Sequence, residues 1–412
     1  MSARRSLVGV ILCGALTWAA PVKADAVLDW NAIAVQAVVN AGAARPGGSA
    51  LLDFAMVQTA VHDAVQAYQG RFEPFNMSIT GASGSPTAAV AKAAHDVLVH
   101  QFPAQTEALD TLYMNYLSGH GLAPTDPGVV VGQQAAAGIL NLRANDGSFP
   151  ANFPAFTGGV QAGQWRPTLP AFAPMAVPWL GAVTPFALKD STQLRPDPAP
   201  PALTSGEYTN DYNEVKALGG VISARTPEQT QLALFWASNY LVLWCRAMRD
   251  IAAAHLTDIG DTARLFALAS VASADAAIAA WDAKKHYNLW RPITAIQEGD
   301  RDGNPNTLGD PGWLPLVPTP PYPDYTSGAN NVTSAITRTL ALFFGSDEMT
   351  FSVTSTNTNT MRTFSRFSAA EDEVMVARIY EGIHFRFADT VARRQGKRSA
   401  DWAFSHVMRP LK

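Results

Sequence analysis

Residues 274–296 read ADAAIAAWDAKKHYNLWRPITAI. The first half is alanine-rich and free of helix breakers, and it continues a run that begins near Thr262. The sequence therefore predicts one long helix from Thr262 to Asn288. Lys284 and Arg291 lie seven positions apart, two helical turns, which would let both project from one face. Pro292 disfavours helical backbone at Arg291 and so places Arg291 at a helix end. Two cations on one face at a helix end suit a multiply charged oxyanion. With Lys285 and His286 alongside, a solvated basic face is the alternative.

Outward from this stretch, helical periodicity dominates. Ala26 to Asn40 and Ala50 to Tyr68 carry apolar residues at helical spacing. Pro86 to Phe102 and Pro127 to Ala144 each open with proline just after a capping residue, Ser85 or Asp126. Helices are expected to resume near Glu207, to run through Arg225 to Ala254, and to recur at Asn331–Phe344 and Ala369–Glu381. Two stretches break the pattern: residues 145–205, rich in Pro, Gly and Phe, and residues 298–326, dense in Pro, Gly, Asp and Asn. Both read as long irregular connections, the first as part of a pocket rim. Alternating strand patterns are scarce. The expected fold is mainly α, a helical bundle with two long irregular loops. It divides into an N-terminal helical part, 25–205, and a C-terminal helical part, 206–412, that carries the charged pocket.

The chain has 412 residues, nearly half of them apolar, and a formal net charge of −4. That is enough chain for a large core, and the absence of a basic stripe with interleaved aromatics excludes nucleic acid as a partner. Residues 1–24 read as a signal peptide. Arg4 and Arg5 precede an apolar run, Leu7 to Ala20, that is short for a membrane span, and Val22-Lys23-Ala24 offers a cleavage site. The expected destination is periplasmic or extracellular, with no stable span after cleavage. Of the two cysteines, Cys13 lies in the signal, so only Cys245 remains and no intramolecular disulfide is available. Between Trp244 and Arg246, Cys245 reads as a small buried hydrophobe.

Two further segments carry chemistry. In YTSGAN, residues 325–330, a serine and a glycine precede a helix. Ser327 could be an ordinary N-cap, or Gly328 could let free N–H groups approach an anion. In RIYEGIHFRFAD, residues 378–389, Arg378 supplies a two-pronged donor. Gly382 could end a helix and turn His384 back toward the same place. The loop 300–306, DRDGNPN, has oxygen side chains at alternate positions. Its glycine is misplaced for a calcium loop and no glutamate closes it, so it reads as a turn-rich connection. His62 and Asp63, adjacent on a helix, read as core or capping residues.

Taken in order, Lys-x6-Arg-Pro, Ser-Gly and Arg-x5-His resemble the signature of the vanadium-dependent haloperoxidase and type-2 acid phosphatase superfamily. The flanking segments ADAAIAAWDAKKHYNLWRPITAI, PTPPYPDYTSG, YEGIHFRFAD and VQTAVHDAV are similar to its secreted bacterial haloperoxidase-like branch. The resemblance implies a helical bundle with one oxyanion pocket that holds vanadate in the peroxidases and phosphate in the phosphatases. Lys284, Arg291 and Arg378 would neutralise the anion, Ser327 would donate through its hydroxyl and Gly328 through its N–H. His384 would be the axial group, a vanadium ligand in one case and the nucleophile in the other. Small molecules are the implied partners: peroxide with a halide or organic substrate, or a phosphate ester. The sequence does not set the oligomeric state, although helical architectures of this kind often pair and a homodimer is one option.

Two positions depart from the pattern. The middle segment usually reads Pro-Ser-Gly-His, and here it reads Thr326-Ser327-Gly328-Ala329. The missing histidine is the acid–base group, whose help typically contributes roughly 10²–10⁴-fold. His286, Asn330, Asp324, Tyr325 and Tyr322 are the nearby groups that could take its place. The aspartate that follows the axial histidine is displaced by one residue, and Asp389 is expected to orient His384 or else to sit at the surface in a helix first turn. Three functions fit: a vanadium-dependent peroxidase with impaired acid–base catalysis, a phosphomonoesterase using His384, and an oxyanion-binding protein without turnover. Crowding three cations without an anion should cost stability through like-charge repulsion.

Overall fold

Capping side chains set most helix starts in the computed structural model, which describes residues 25–411; the expected signal peptide lies outside the described residues. Asp25 accepts from the Val27 N–H to open α1 (Ala26–Ala41), and α2 (Ala50–Gln69) follows a short turn. Ser85 and Asp126 cap α3 (Pro86–Gln101) and α5 (Pro127–Arg143), each with proline in the first turn, where its missing N–H costs nothing. Between them lies α4 (Thr106–Gly119), whose buried residues are only Leu109, Tyr113 and Leu117. So thin an apolar stripe leaves little trace in the sequence.

The helix expected through Arg225–Ala254 is two helices. Thr226 and Gln229 form a capping box that opens α7 (Pro227–Trp236), after α6 (Gly206–Leu218). Asn239 then accepts from the Leu241 and Val242 N–H groups and starts α8 (Tyr240–His255). The capping asparagine competes with the ongoing helix and wins.

Next come α9 (Ile259–Tyr287), α10 (Pro292–Gln297), α11 (Gly328–Phe344), an antiparallel hairpin of β1 (Glu348–Thr354) and β2 (Met361–Arg366), α12 (Phe367–Tyr380) and α13 (Arg386–His406). The hairpin turns Phe351, Val353 and Phe364 inward. The fold is mainly α, as the sequence indicates. α9 is its centre, packed against α2, α11 and α13 and buried on all sides from Thr262 to Trp281. Alanine at nine of these twenty positions lets its neighbours approach closely. It is long and apolar enough to cross a membrane, but its apolar window is wholly buried among other helices. One hydrophobic core runs from α1–α5 through α9 to α13.

Residues 145–205 contribute nothing to the wall of the cavity at the candidate site, contrary to the expectation; they brace α9. Asp275 accepts the N–H groups of Phe186, Ala187 and Leu188, and Trp281 Nε1 donates to Ala176 O. The rim comes instead from the α1–α2 turn and from residues 317–322 of the second connection. α13, dense in arginine, lies on α11 at Gly396, where any Cβ would overlap Asn331 O. That close approach brings the start of α13 beside the start of α11.

Candidate functional site: a buried cluster of cations and carboxylates

α9 stops at Tyr287 because Asn288 takes the left-handed conformation (φ 49°) and donates its N–H to Lys284 O. Lys284 and Arg291 therefore do not share a helix face; Arg291 is the N-cap residue of α10. The turn between them brings the two together. The 163–165 segment pins that turn, with the Trp165 N–H on Asn288 O and the Trp290 N–H on Gly163 O. Lys284 and Arg291 are each 0 % exposed, while Lys285 and His286 face solvent, so the cations do not form a solvated face.

The chain 322–324 crosses both cations. Lys284 Nζ donates to Pro323 O (2.8 Å) and Asp324 O (3.0 Å). Arg291 Nε donates to Tyr322 O (2.7 Å) and Nη1 to Ile383 O (2.6 Å). The Tyr322 ring lies 4.8 Å from each charged group. His384 follows Gly382 (φ 79°), which turns the chain after α12. Arg291 Nη1 sits 3.1 Å from His384 Nε2, and Asp324 Oδ1 sits 2.6 Å from His384 Nδ1. Guanidinium can only donate, so Nε2 keeps its lone pair and the ring proton belongs on Nδ1, facing Asp324. Burial, then Arg291, Lys284 and Arg378, hold His384 well below the usual histidine range, so it is neutral near pH 7.

The carboxylate against His384 is thus Asp324 and not Asp389. Asp389 is in the first turn of α13 but fully buried, and it accepts from Asn330 Nδ2 at 2.8 Å, beside Ser327. Burial raises it well above the usual carboxylate range, against the opposing pull of Ser327. Ser327 is the N-cap residue of α11, yet its hydroxyl makes no capping bond and meets Asn330 Nδ2 at 3.3 Å. The N–H groups of Gly328 and Ala329 find no acceptor among the described residues. Asn330 serves the Ser327–Asp389 contact, and Tyr325 packs between Tyr287 and Phe387.

Arg378 ends α12, 2.6 Å from Glu381 Oε2 through Nη1. Burial opposes its charge, but Glu381 more than reverses this and holds it above the usual arginine value. Burial pushes Glu381 up to about 7 despite Arg378, and Asp324 up to about 7 despite Arg291 and Lys284. Burial, then Arg291, holds Lys284 well below the usual lysine range. Three buried cations therefore face three buried carboxylates. Asp324 and Glu381, beside Arg291 and Arg378, offset part of the repulsion expected of a bare cation cluster, which still lowers Lys284. Glu381 was not among the sequence candidates, and Asp324 was named there only as a substitute for the histidine.

This cluster opens on a cavity of about 770 Å³. Gly328, Ala329, Arg378, Glu381, His384 and Tyr322 form its polar end; Val38, Leu51, Leu241, Val317 and Val332 are among its apolar walls. Arg291 Nη2 and Arg378 Nε are buried without an acceptor. With the free N–H groups of α11, these donors are what a tetrahedral oxyanion would need. Ala329 offers only a methyl group.

Elsewhere the simpler readings hold. Burial pushes the Cys245 thiol up to about 12, and it packs in the core. Asp302 and Asn304 spend their oxygens on bonds within their own loop. His62 meets Glu73 O, and Asp63 accepts from Phe75, Asn76 and Met77.

A family model described as the VCPO second helical-bundle domain matches residues 264–412. The vanadium chloroperoxidase of Curvularia inaequalis is 30 % identical over 197 residues, which cover 39 % of this chain and 31 % of that protein. The match thus spans less than a third of that relative's length. Among solved structures, the first bacterial vanadium-dependent iodoperoxidase superposes with a TM-score of 0.80 at 24 % identity, covering 93 % of this chain and 98 % of that one. An apo-type bacterial vanadium-dependent chloroperoxidase superposes at 0.72 and 18 % identity, covering 87 % and 92 %. At these identities the superpositions speak to the fold.

Proposed function

We propose that the chain is a member of the vanadium haloperoxidase and type-2 acid phosphatase superfamily and an exported, vanadate-binding enzyme of the peroxidase kind; the match of residues 264–412 to the VCPO second helical-bundle domain, the curated chloroperoxidase relative and the shared fold support this reading. The observation that carries this reading is the pair of buried guanidinium nitrogens without acceptors, Arg291 Nη2 and Arg378 Nε, next to a neutral His384. Lys284, Arg291 and Arg378 would neutralise the anion, the Ser327 hydroxyl and Gly328 N–H would hydrogen-bond it, and His384 Nε2 would ligate it. Bound vanadate would supply a Lewis-acidic centre that activates hydrogen peroxide toward a halide or an organic substrate.

The protein's own share of the chemistry follows from its geometry. His384 Nε2 accepts from Arg291 Nη1, and Asp324 Oδ1 lies 2.6 Å from Nδ1 on the other side of the ring, so an incoming anion would take the Nε2 lone pair over from Arg291. Preorganised donors in a buried site act at full strength because little water screens them. The mostly apolar walls favour an uncharged organic partner over a charged one. A phosphatase would use the same lone pair to attack phosphorus, so activity must separate the two readings.

The test is calorimetric titration of phosphate-free protein with orthovanadate, beside Arg378→Ala. Binding that is lost in the variant, with peroxide-dependent turnover exceeding phosphate release, supports the proposal. Binding with phosphate release alone would move the phosphatase to the front. No binding would leave a scaffold without a working anion pocket.

A further inference from the structure

With Ala329 in place of a histidine, the α11 side of the pocket has no titratable group. The remaining polar side chains on the cavity wall are Arg45, Ser238, Asn239, Tyr240, Tyr322, Asn357, Arg378, Glu381 and His384. Arginine does not release its proton, and hydroxyls and amides exchange theirs poorly near neutral pH. Phenols ordinarily titrate near 10, and burial raises Tyr240 further. His384 is committed to the anion.

Glu381 differs from a structural buried carboxylate of the same chain. Glu371, 2 % exposed, accepts from Thr337 and pairs with Arg393 and Lys397. Glu381, 0 % exposed, has one cationic neighbour, Arg378, approaching off the N–H axis, so neither carboxylate oxygen has a well-directed donor. Its backbone is fixed: the N–H donates to Ala377 O and the carbonyl accepts from Val317. The carboxylate is thus held beside an anion-binding arginine with its hydrogen-bonding capacity unspent.

The geometry points to Glu381 as the proton donor and acceptor of the anion site, taking over the work of the absent histidine; this rests on the oxyanion-enzyme reading above. As the carboxylate it takes a proton from the attacking oxygen of hydrogen peroxide or water. As the acid it returns that proton to the departing oxygen, so each cycle ends with Glu381 in its starting form. Its displacement to about 7 places both forms within reach at neutral pH. The charged and titratable groups sharing its wall are Arg378 on α12, Tyr240 on α8, Arg45 on the α1–α2 turn, Tyr322, and His384.

The experiment compares the full-length wild type with Glu381→Gln and Glu381→Asp. Orthovanadate and inorganic phosphate are each titrated between pH 6 and 9 in two buffers of different ionisation enthalpy, which counts the protons taken up, and turnover is measured in parallel. An anion beside Glu381 raises its pKa, so the wild type takes up protons on binding above neutral pH. Glu381→Gln is expected to bind the anion at least as tightly, to take up fewer protons, and to lose roughly 10²-fold or more in turnover. Glu381→Asp keeps part of both the uptake and the rate. Loss of anion binding in Glu381→Gln would mean the carboxylate only holds Arg378, and would overturn the inference. So would unchanged proton uptake or unchanged turnover. A wild type that binds neither anion would fail at the earlier step, the oxyanion reading itself.

Discussion

Gly382→Ala should break the site from a distance, and its cost can be worked from two contacts. Gly382 has φ 79°, where an L side chain costs about 1–2 kcal/mol. A Cβ there would overlap Gly219 O and come within 2.9 Å of Pro315 Cβ. The first neighbour is backbone and cannot rotate away, so overpacking adds about 1–3 kcal/mol, and the expected loss is about 2–5 kcal/mol. The next residue, Ile383, accepts Arg291 Nη1 at 2.6 Å, and His384 follows it. Pushing 382 away from 219 therefore moves His384 and its Arg291 contact, both part of the proposed anion site. Gly345→Ala is the control: φ is 72° at the end of α11, but nothing lies within 4 Å of its Cβ. It should lose only the conformational share and bind orthovanadate normally. Urea unfolding and orthovanadate calorimetry on both variants decide the matter. If Gly382→Ala matches Gly345→Ala in stability, or binds as the wild type does, the close approach at 219 does not set the position of His384.

Three further outcomes follow from the structure. Ala329→His should raise turnover modestly in the wild type and restore most of what Glu381→Gln loses, because each supplies a proton carrier to one cavity; steady-state rates of the four proteins check this. Asp275→Ala strands three N–H groups of the 186–188 segment, so at about 1–3 kcal/mol each it should destabilise the chain substantially and speed amide exchange there, read by hydrogen–deuterium exchange. His62 is lowered to about 4 by burial, so the unfolded chain binds the extra proton between about 6.5 and 4. Its contribution to stability is present above about 6.5 and falls with pH through that window, by on the order of 3 kcal/mol. The difference in unfolding free energy between wild type and His62→Gln should carry that slope, and a flat difference would contradict it.

The long helices were legible because capping residues and uninterrupted apolar periodicity are local signals. Ser85-Pro86, Asp126-Pro127 and the alanine run into Lys284 each fix a boundary within a few residues. Breaks inside a continuous apolar run carry no such signal. Arg225 to Ala254 looked unbroken because Asn239 is a strong cap but not a breaker. Lys284 and Arg291 looked like one helix face because the left-handed turn at Asn288 carries no glycine to announce it. α13 was missed because its buried face is built of Ala388, Ala392, Gly396, Ala400 and Ala403, small residues whose apolar signal is outweighed by the arginines between them.

The site shows the same division between local and distant causes. Residues that would touch an anion directly sit in three short motifs and can be read in order. The carboxylates that balance them cannot, because their partners are chosen by packing. Asp389 follows His384 closely in sequence, yet α13 carries it down against α11, where Asn330 holds it. Asp324 is sixty positions from His384 and reaches it because Lys284 and Arg291 hold the 322–324 backbone across the pocket floor. A pocket with three buried cations needs counter-charges whether or not an anion is present, since an uncompensated buried charge costs several kcal/mol. Counting cations in the motif therefore implies that carboxylates must exist nearby. Only the fold says that they are Asp324, Glu381 and Asp389, and that one of them, Glu381, forms part of the cavity wall with its carboxylate buried behind it.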